Sequence, residues 1–232
     1  MQVLYWFEAH RTAWMDTIMS TVTHLGAETA FIVIAIFVFW CVNKRHGYYL
    51  LAIGFMGTLF NQFLKLCFRI PRPWVLDEKF TIVESARADA TGYSFPSGHT
   101  QSAVGTLGGV ARFTQRNWLR IVCIVLAALV SVSRMYLGVH TPKDVLVSLV
   151  IAVILVFALY PIIERAVHVR AAMGRLMMVM LGSMPTLDLT GVIRPAALAF
   201  AFLYLPLLPI RRMLTVAFVC SEKKTQSIEA AK

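Results

Sequence analysis

The sequence predicts an all-α fold, a polytopic transmembrane helical bundle of about six spans preceded by an N-terminal amphipathic interfacial helix. Three observations lead there. Of 232 residues, 58% are apolar and only 15% are charged. The apolar residues fall in blocks, where a soluble fold would show amphipathic stripes. Each hydrocarbon crossing needs about 20 mostly apolar residues, and the chain has room for five or six such blocks joined by short turns.

Taken in order, residues 6–25 mix aromatic, apolar and charged positions at helical spacing, which suits a helix lying on the membrane surface. The first span covers 26–42, and the basic turn "NKRH" separates it from the second, 47–66. The third, 98–113, is short and rich in small residues, and its Gly105 and Gly109 form a GxxxG spacing that admits a close neighbour. The fourth and fifth cover 118–132 and 145–163. A sixth is expected at 196–210, distorted near its end by Pro206 and Pro209. The expected organisation is therefore an interfacial helix at 1–25, one transmembrane domain at 26–210 and a disordered C-terminal tail at 211–232.

The net charge of +10 would suit nucleic acid, but the basic residues sit in short turns beside the spans, so the charge reads as topology and no nucleic-acid partner is expected. Antiparallel alternation places Lys44, Arg45, Arg112, Arg116, Arg120, Arg165, Arg170 and Arg175 on one side, which the positive-inside rule makes cytoplasmic. The N-terminus lacks the basic start and small-residue cleavage site of a signal peptide. Cys41, Cys67, Cys123 and Cys220 have no paired spacing and lie mostly among apolar residues, which predicts small buried hydrophobes.

On the opposite, outward face three short segments converge: "KLCFRIPRP", "PSGH" and "SRMYLGVHTPKD". Each alone has a structural reading, such as a snorkelling cation, a turn, or a capping box from Thr141 and Asp144 ahead of Pro142. Together they bring Lys65, Arg72 and Arg134 to one membrane boundary without three partner carboxylates, and that excess of cations predicts an anionic ligand. The arginine fork suits phosphate oxygens. Ser97 and Gly98 open a helix, where free backbone N–H groups and the macrodipole favour an anion and glycine permits close approach.

His140 lies four residues before Asp144, close enough for the carboxylate to fix its tautomer and leave the other ring nitrogen free to attack. His99, at the helix mouth, suits a proton donor to the leaving oxygen. Zinc held by His99, His140 and Asp144 is an alternative that the surrounding cations disfavour.

Lys65, six residues, Arg72-Pro73; then Pro96-Ser97-Gly98-His99; then Ser133-Arg134, five residues, His140, three residues, Asp144: this pattern resembles the three-part signature of the type-2 phosphatidic acid phosphatase superfamily, the lipid phosphate phosphatases. The resemblance implies six spans around an active site at the outer leaflet of a cell membrane. It also implies metal- and cofactor-independent hydrolysis through a phosphohistidine. On that pattern Lys65, Arg72, Arg134, Ser97 and the Gly98 amide hold the phosphate. His140 attacks, Asp144 orients it, and His99 protonates the leaving group and then activates water. The substrate class implied is a membrane lipid phosphate or pyrophosphate, such as undecaprenyl pyrophosphate or phosphatidylglycerophosphate. Two rivals stand beside it: a phosphatase for a soluble ester, and a non-catalytic protein that binds or transports a lipid phosphate. The membrane spans argue against the haloperoxidase chemistry of the family's soluble, vanadium-dependent branch.

Overall fold

The computed structural model describes residues 1–87, 90 and 92–166, and its regular elements there are all helical. The expected sixth span at 196–210, the tail at 211–232, and Arg170 and Arg175 lie outside the described residues. The chain runs through α1 (Gln2–Ala9), α2 (Ala13–Thr23), α3 (Glu28–Phe37), α4 (Lys44–Phe68), the single turn α5 (Pro73–Leu76), α6 (Gly98–Phe113), α7 (Asn117–Tyr136) and α8 (Pro142–Arg165).

Local chemistry sets the helix ends. The Asn43 side chain accepts the Arg45 N–H at 2.8 Å to open α4, and α4 stops where Arg69 turns left-handed at φ 46° ahead of Pro71 and Pro73. Ser97 caps α6. Thr141 and Asp144 form the anticipated capping box of α8, with Pro142 in its first turn.

By length and composition, three stretches can cross a membrane: Lys44–Leu76, Asn117–Tyr136 and Pro142–Arg165. A fourth arises if Ala13–Gly26 and Glu28–Val42, bent by 53° at their junction, form one broken span. Within the expected 26–42 span the helix runs from Glu28 to Val42, with its last turn widened at Val38–Val42, and Gly26 and Ala27 set it off from α2. The stretch expected as one N-terminal helix is two, broken between His10 and Thr12.

Short α6, 16 residues long, lies against α4, α7 and α8. Its glycines allow this: a Cβ on Gly105 would sit 2.7 Å from Ile53, and one on Gly109 would sit 2.6 Å from Leu50. The expected GxxxG contact is therefore with α4, and side-chain packing holds it, since lipid tails remove most of the hydrophobic drive between spans. One buried cluster joins α3, α4 and α8 through Phe31, Leu50, Ile53 and Val156, and another joins α6, α7 and α8 through Leu107, Ala127 and Ala152. Large apolar side chains such as Phe37, Phe60, Ile121, Leu146 and Phe157 point outward, as a lipid-facing surface requires. Cys41 and Cys67 belong to that exposed surface, contrary to the expectation of burial, whereas Cys123 is buried. Cys220 lies outside the described residues.

Candidate active site

The end of α4, the start of α6 and the α7–α8 connection meet at one end of the bundle, so the three sequence segments converge there. A cavity of about 250 Å³ opens among them, and Lys65, Arg72, Gly98, His99, Arg134 and His140 all line it. Asp144 and Ser97 stand behind this wall.

Arg72 and Arg134 are buried, at 5% and 1% exposure. Arg72 donates through Nε to the Gly92 carbonyl (3.1 Å) and through Nη1 to the Val139 carbonyl (3.0 Å). Its Nη1 also lies 3.1 Å from His140 Nε2. Arg134 Nη1 donates to Thr23 Oγ1 at 2.9 Å, which brings α2 into the site. These contacts hold each guanidinium at the cavity wall.

A guanidinium can only donate, so Nε2 of His140 is an acceptor and the ring proton sits on Nδ1. That nitrogen faces Asp144 Oδ2 at 3.7 Å, an electrostatic contact too long for a hydrogen bond. The same carboxylate oxygen accepts the Ser94 hydroxyl at 2.6 Å and the Thr141 N–H at 2.8 Å. Asp144 thus closes the helix cap and sets its carboxylate beside the imidazole. Burial pushes His140 below the usual imidazole range. Asp144 opposes the shift, while Arg72 and Arg134 add to it. The ring is therefore neutral near pH 7, with the Nε2 lone pair at the cation cluster.

Gly98 begins α6, and a Cβ there would meet only Asn61 Oδ1, at 3.9 Å, so the helix mouth stays open to a ligand. Ser97 is wholly buried, and its hydroxyl lies 3.0 Å from Thr100 Oγ1 and accepts the Thr100 N–H at 3.4 Å. Its side chain is committed to the cap and does not line the cavity. The Ser97 N–H reaches the Asp144 carbonyl at 3.3 Å, which links the starts of α6 and α8. Among the described residues, no three His, Cys, Asp or Glu side chains are grouped to hold a metal ion, His99, His140 and Asp144 included.

Sequence reasoning missed four participants: Ser94, Thr23, Glu28 and the polar floor formed by Asn61 and Gln101. Glu28 lines the cavity with Lys65, so that cation has a carboxylate in its field. A signal for the floor was present, since "NQ" at positions 61–62 interrupts an apolar span. Ser94 and Thr23 carry no motif.

Residues 45–168 match the PAP2 superfamily, more than half of the chain. The chain belongs to the PAP2 superfamily. As a PAP2 protein it is an enzyme, a phosphatase. It is 32% identical to undecaprenyl-diphosphatase BcrC of Bacillus subtilis over 66% of this chain and 77% of that protein. It is 29% identical to phosphatidylglycerophosphatase B of the same organism over 63% and 74%. Two solved structures share its fold. The first transmembrane PAP2-type phosphatidylglycerolphosphate phosphatase from Bacillus subtilis has a TM-score of 0.58 at 26% identity, over 71% of this chain and 84% of that one. Aquifex aeolicus LpxE has a TM-score of 0.61 at 24% identity, over 68% and 92%.

Proposed function

We propose that this PAP2 phosphatase removes the terminal phosphate of a membrane lipid phosphate or pyrophosphate through a phosphohistidine, without a metal or other cofactor. The observation that carries the reading is the setting of His140: a buried neutral imidazole whose acceptor nitrogen lies 3.1 Å from the Arg72 guanidinium, on a cavity also lined by Arg134 and Lys65. A bound phosphoryl group takes up the donors of Arg72, Arg134, Lys65 and the Gly98 amide. Ser97 acts by capping the helix that presents that amide.

His140 Nε2 attacks phosphorus while the bond to the leaving oxygen breaks, and His99 gives that oxygen its proton. Asp144 stabilises the imidazole as positive charge develops. Water then attacks the phosphohistidine and passes its proton to His99. The P–N bond breaks, returning its electron pair to His140 and releasing inorganic phosphate.

The relatives support a substrate such as undecaprenyl pyrophosphate or phosphatidylglycerophosphate. In this reading the phosphatase domain covers 26–210 with about six spans in all. The N-terminal helices lie at the interface, and the active end faces away from the cytoplasm, opposite the basic turns at Lys44, Arg112 and Arg165. The test is release of phosphate by purified full-length protein from long-chain lipid phosphates in mixed micelles and from glucose 6-phosphate. Much higher kcat/KM on the lipid is expected, with excess chelator present. Equal or better turnover of the soluble ester would replace the lipid reading, and turnover restored only by added zinc would overturn the metal-free one.

A further inference from the structure

The cavity does not end at the cations. Below His99 it continues between α3, α4 and α6, where Glu28, Thr58, Asn61, Gln62, Gln101 and Ser102 line it. Asn61 and Gln101 are each only 4% exposed. Among the described residues, Asn61 Nδ2, both polar atoms of the Gln101 amide and Ser102 Oγ have no hydrogen-bond partner. Leaving a buried polar group unpaired costs about 1–3 kcal/mol, so several such groups on one cavity wall indicate a ligand that pairs with them. The Gln101 amide packs against Gly57, where a Cβ would come within 2.7 Å of its Nε2. Asn61 Oδ1 lies beside Gly98, 3.9 Å from where a Cβ there would sit.

The reaction assigns this space a role. Phosphoryl transfer places the attacking and leaving atoms roughly in line, so the group expelled from phosphorus lies on the side of His99, away from His140. The floor residues come from α3, α4 and α6, not from the α7–α8 connection that carries His140. Their chemistry mixes donors with acceptors: each amide and Ser102 offer both, Thr58 offers an acceptor because its hydrogen goes to the Gly54 carbonyl, and Glu28 is the carboxylate among the described residues of the wall. A second phosphate directly on the reacting one brings acceptors alone and leaves the donors and acceptors of the amides unmatched. A hydroxyl brings both a donor and an acceptor. A volume of about 250 Å³ holds roughly eight water-sized groups, enough for a phosphoryl group with a small polyol beside it.

We propose that this amide-lined floor is a leaving-group subsite for a hydroxyl-bearing head group, with Gln101 and Asn61 as specificity-determining residues. The proposal rests on the lipid-phosphatase reading and narrows its substrate to a phosphate monoester of a lipid-linked polyol.

The test measures phosphate release by the full chain in mixed micelles at equal surface fraction of three substrates. Phosphatidylglycerophosphate expels a group with a free hydroxyl, phosphatidic acid with the same acyl chains expels one without, and a prenyl diphosphate expels an anionic phosphate. Wild type is expected to favour the first by about tenfold in kcat/KM, the effect of one good hydrogen bond. Gln101→Met and Asn61→Leu should each lower kcat/KM on phosphatidylglycerophosphate about tenfold more than on phosphatidic acid, which removes most of the preference, and a melting curve reports that the variants fold. Equal losses on the first two substrates would overturn the subsite. So would accumulation of phosphoenzyme in the variants, which would make the floor a path for water, and so would a wild-type preference for the diphosphate. Each of these leaves the lipid-phosphatase reading standing. Failure to release phosphate from any of the three would remove that reading and the subsite with it.

Discussion

At the end of the bundle that carries Lys44, Arg45, Arg112, Arg120 and Arg165, every one of these cations is exposed. Arg45 donates to the Glu164 carbonyl, Arg120 to the carbonyls of Ala111 and Thr114, and Arg112 lies 4.4 Å over the Tyr160 ring. At the other end Arg72 and Arg134 are buried against a cavity, held in place by carbonyls and by Thr23. The contrast shows what cation count conceals. Exposed arginines at helix ends keep their water and need no ligand. Buried ones carry a desolvation cost, on the order of 2.5–3.5 kcal/mol for an arginine at mid-membrane and less near the interface. An arriving anion offsets that cost.

Substitutions at the two ends should therefore differ in kind. The largest effect is expected for His140→Ala, a fall in kcat on the order of 10⁴ or more, because no other group supplies the attacking nitrogen. Phosphate release within tenfold of wild type would exclude His140 as nucleophile. The ring is buried, so a melting curve should accompany the assay to separate lost chemistry from lost packing.

Arg134→Lys keeps the charge but loses the fork, and kcat/KM should fall about 10²- to 10³-fold, as when one transition-state donor is removed. A near-normal rate would place Arg134 with the exposed arginines of the other end. Asp144→Asn should cost on the order of 10² in kcat, since it removes the charge that stabilises the imidazolium while an amide oxygen can still accept at the helix cap. A loss equal to that of His140→Ala, together with a lower melting temperature, would mean that the cap is its main role.

Ser94→Ala removes a 2.6 Å hydrogen bond to Asp144 from a wholly buried position. About a tenfold fall in kcat with little change in KM is expected, because the serine acts through the carboxylate and not on bound phosphate. A change confined to KM would place Ser94 against substrate. The smallest effect belongs to the basic end, where Arg120→Gln should leave kcat/KM within about twofold and stability within about 0.5 kcal/mol. A large catalytic loss there would erase the distinction between the two ends.

Much of this site was legible in the sequence because its chemistry is local. His140 and Asp144 are four residues apart, Ser97 and Gly98 open α6, and Thr141 with Asp144 forms a cap, so spacing alone brought these residues into register. The bounds of α6 were readable for the same reason, since "PSGH" starts a helix and Thr114 lies just past its end. The burial of His140 was not legible, because it depends on how the α7–α8 connection packs against the segment before α6, where the Val83 N–H reaches the Leu137 carbonyl. Ser94 lies 50 residues before Asp144, and Thr23 lies 111 residues before Arg134. Each is a common polar residue whose role comes only from tertiary contact. The helix expected at 26–42 is present as Glu28–Val42, but its 53° junction with the preceding helix at Gly26 and Ala27 was not legible, because apolar composition alone says nothing about a bend.

The central claim, that the buried cations hold a phosphoryl group for transfer to His140, is tested most directly by rapid quenching. Wild type and His99→Ala would be mixed with a lipid phosphate labelled in its terminal phosphate, and the label mapped on the chain. The account predicts an acid-labile, base-stable phosphoryl group on His140, transient in wild type, and in His99→Ala slower to form, because the leaving oxygen gets no proton, and slower to decay, because water is no longer activated. Label on another residue, or steady phosphate release with no labelled protein in either, would contradict it.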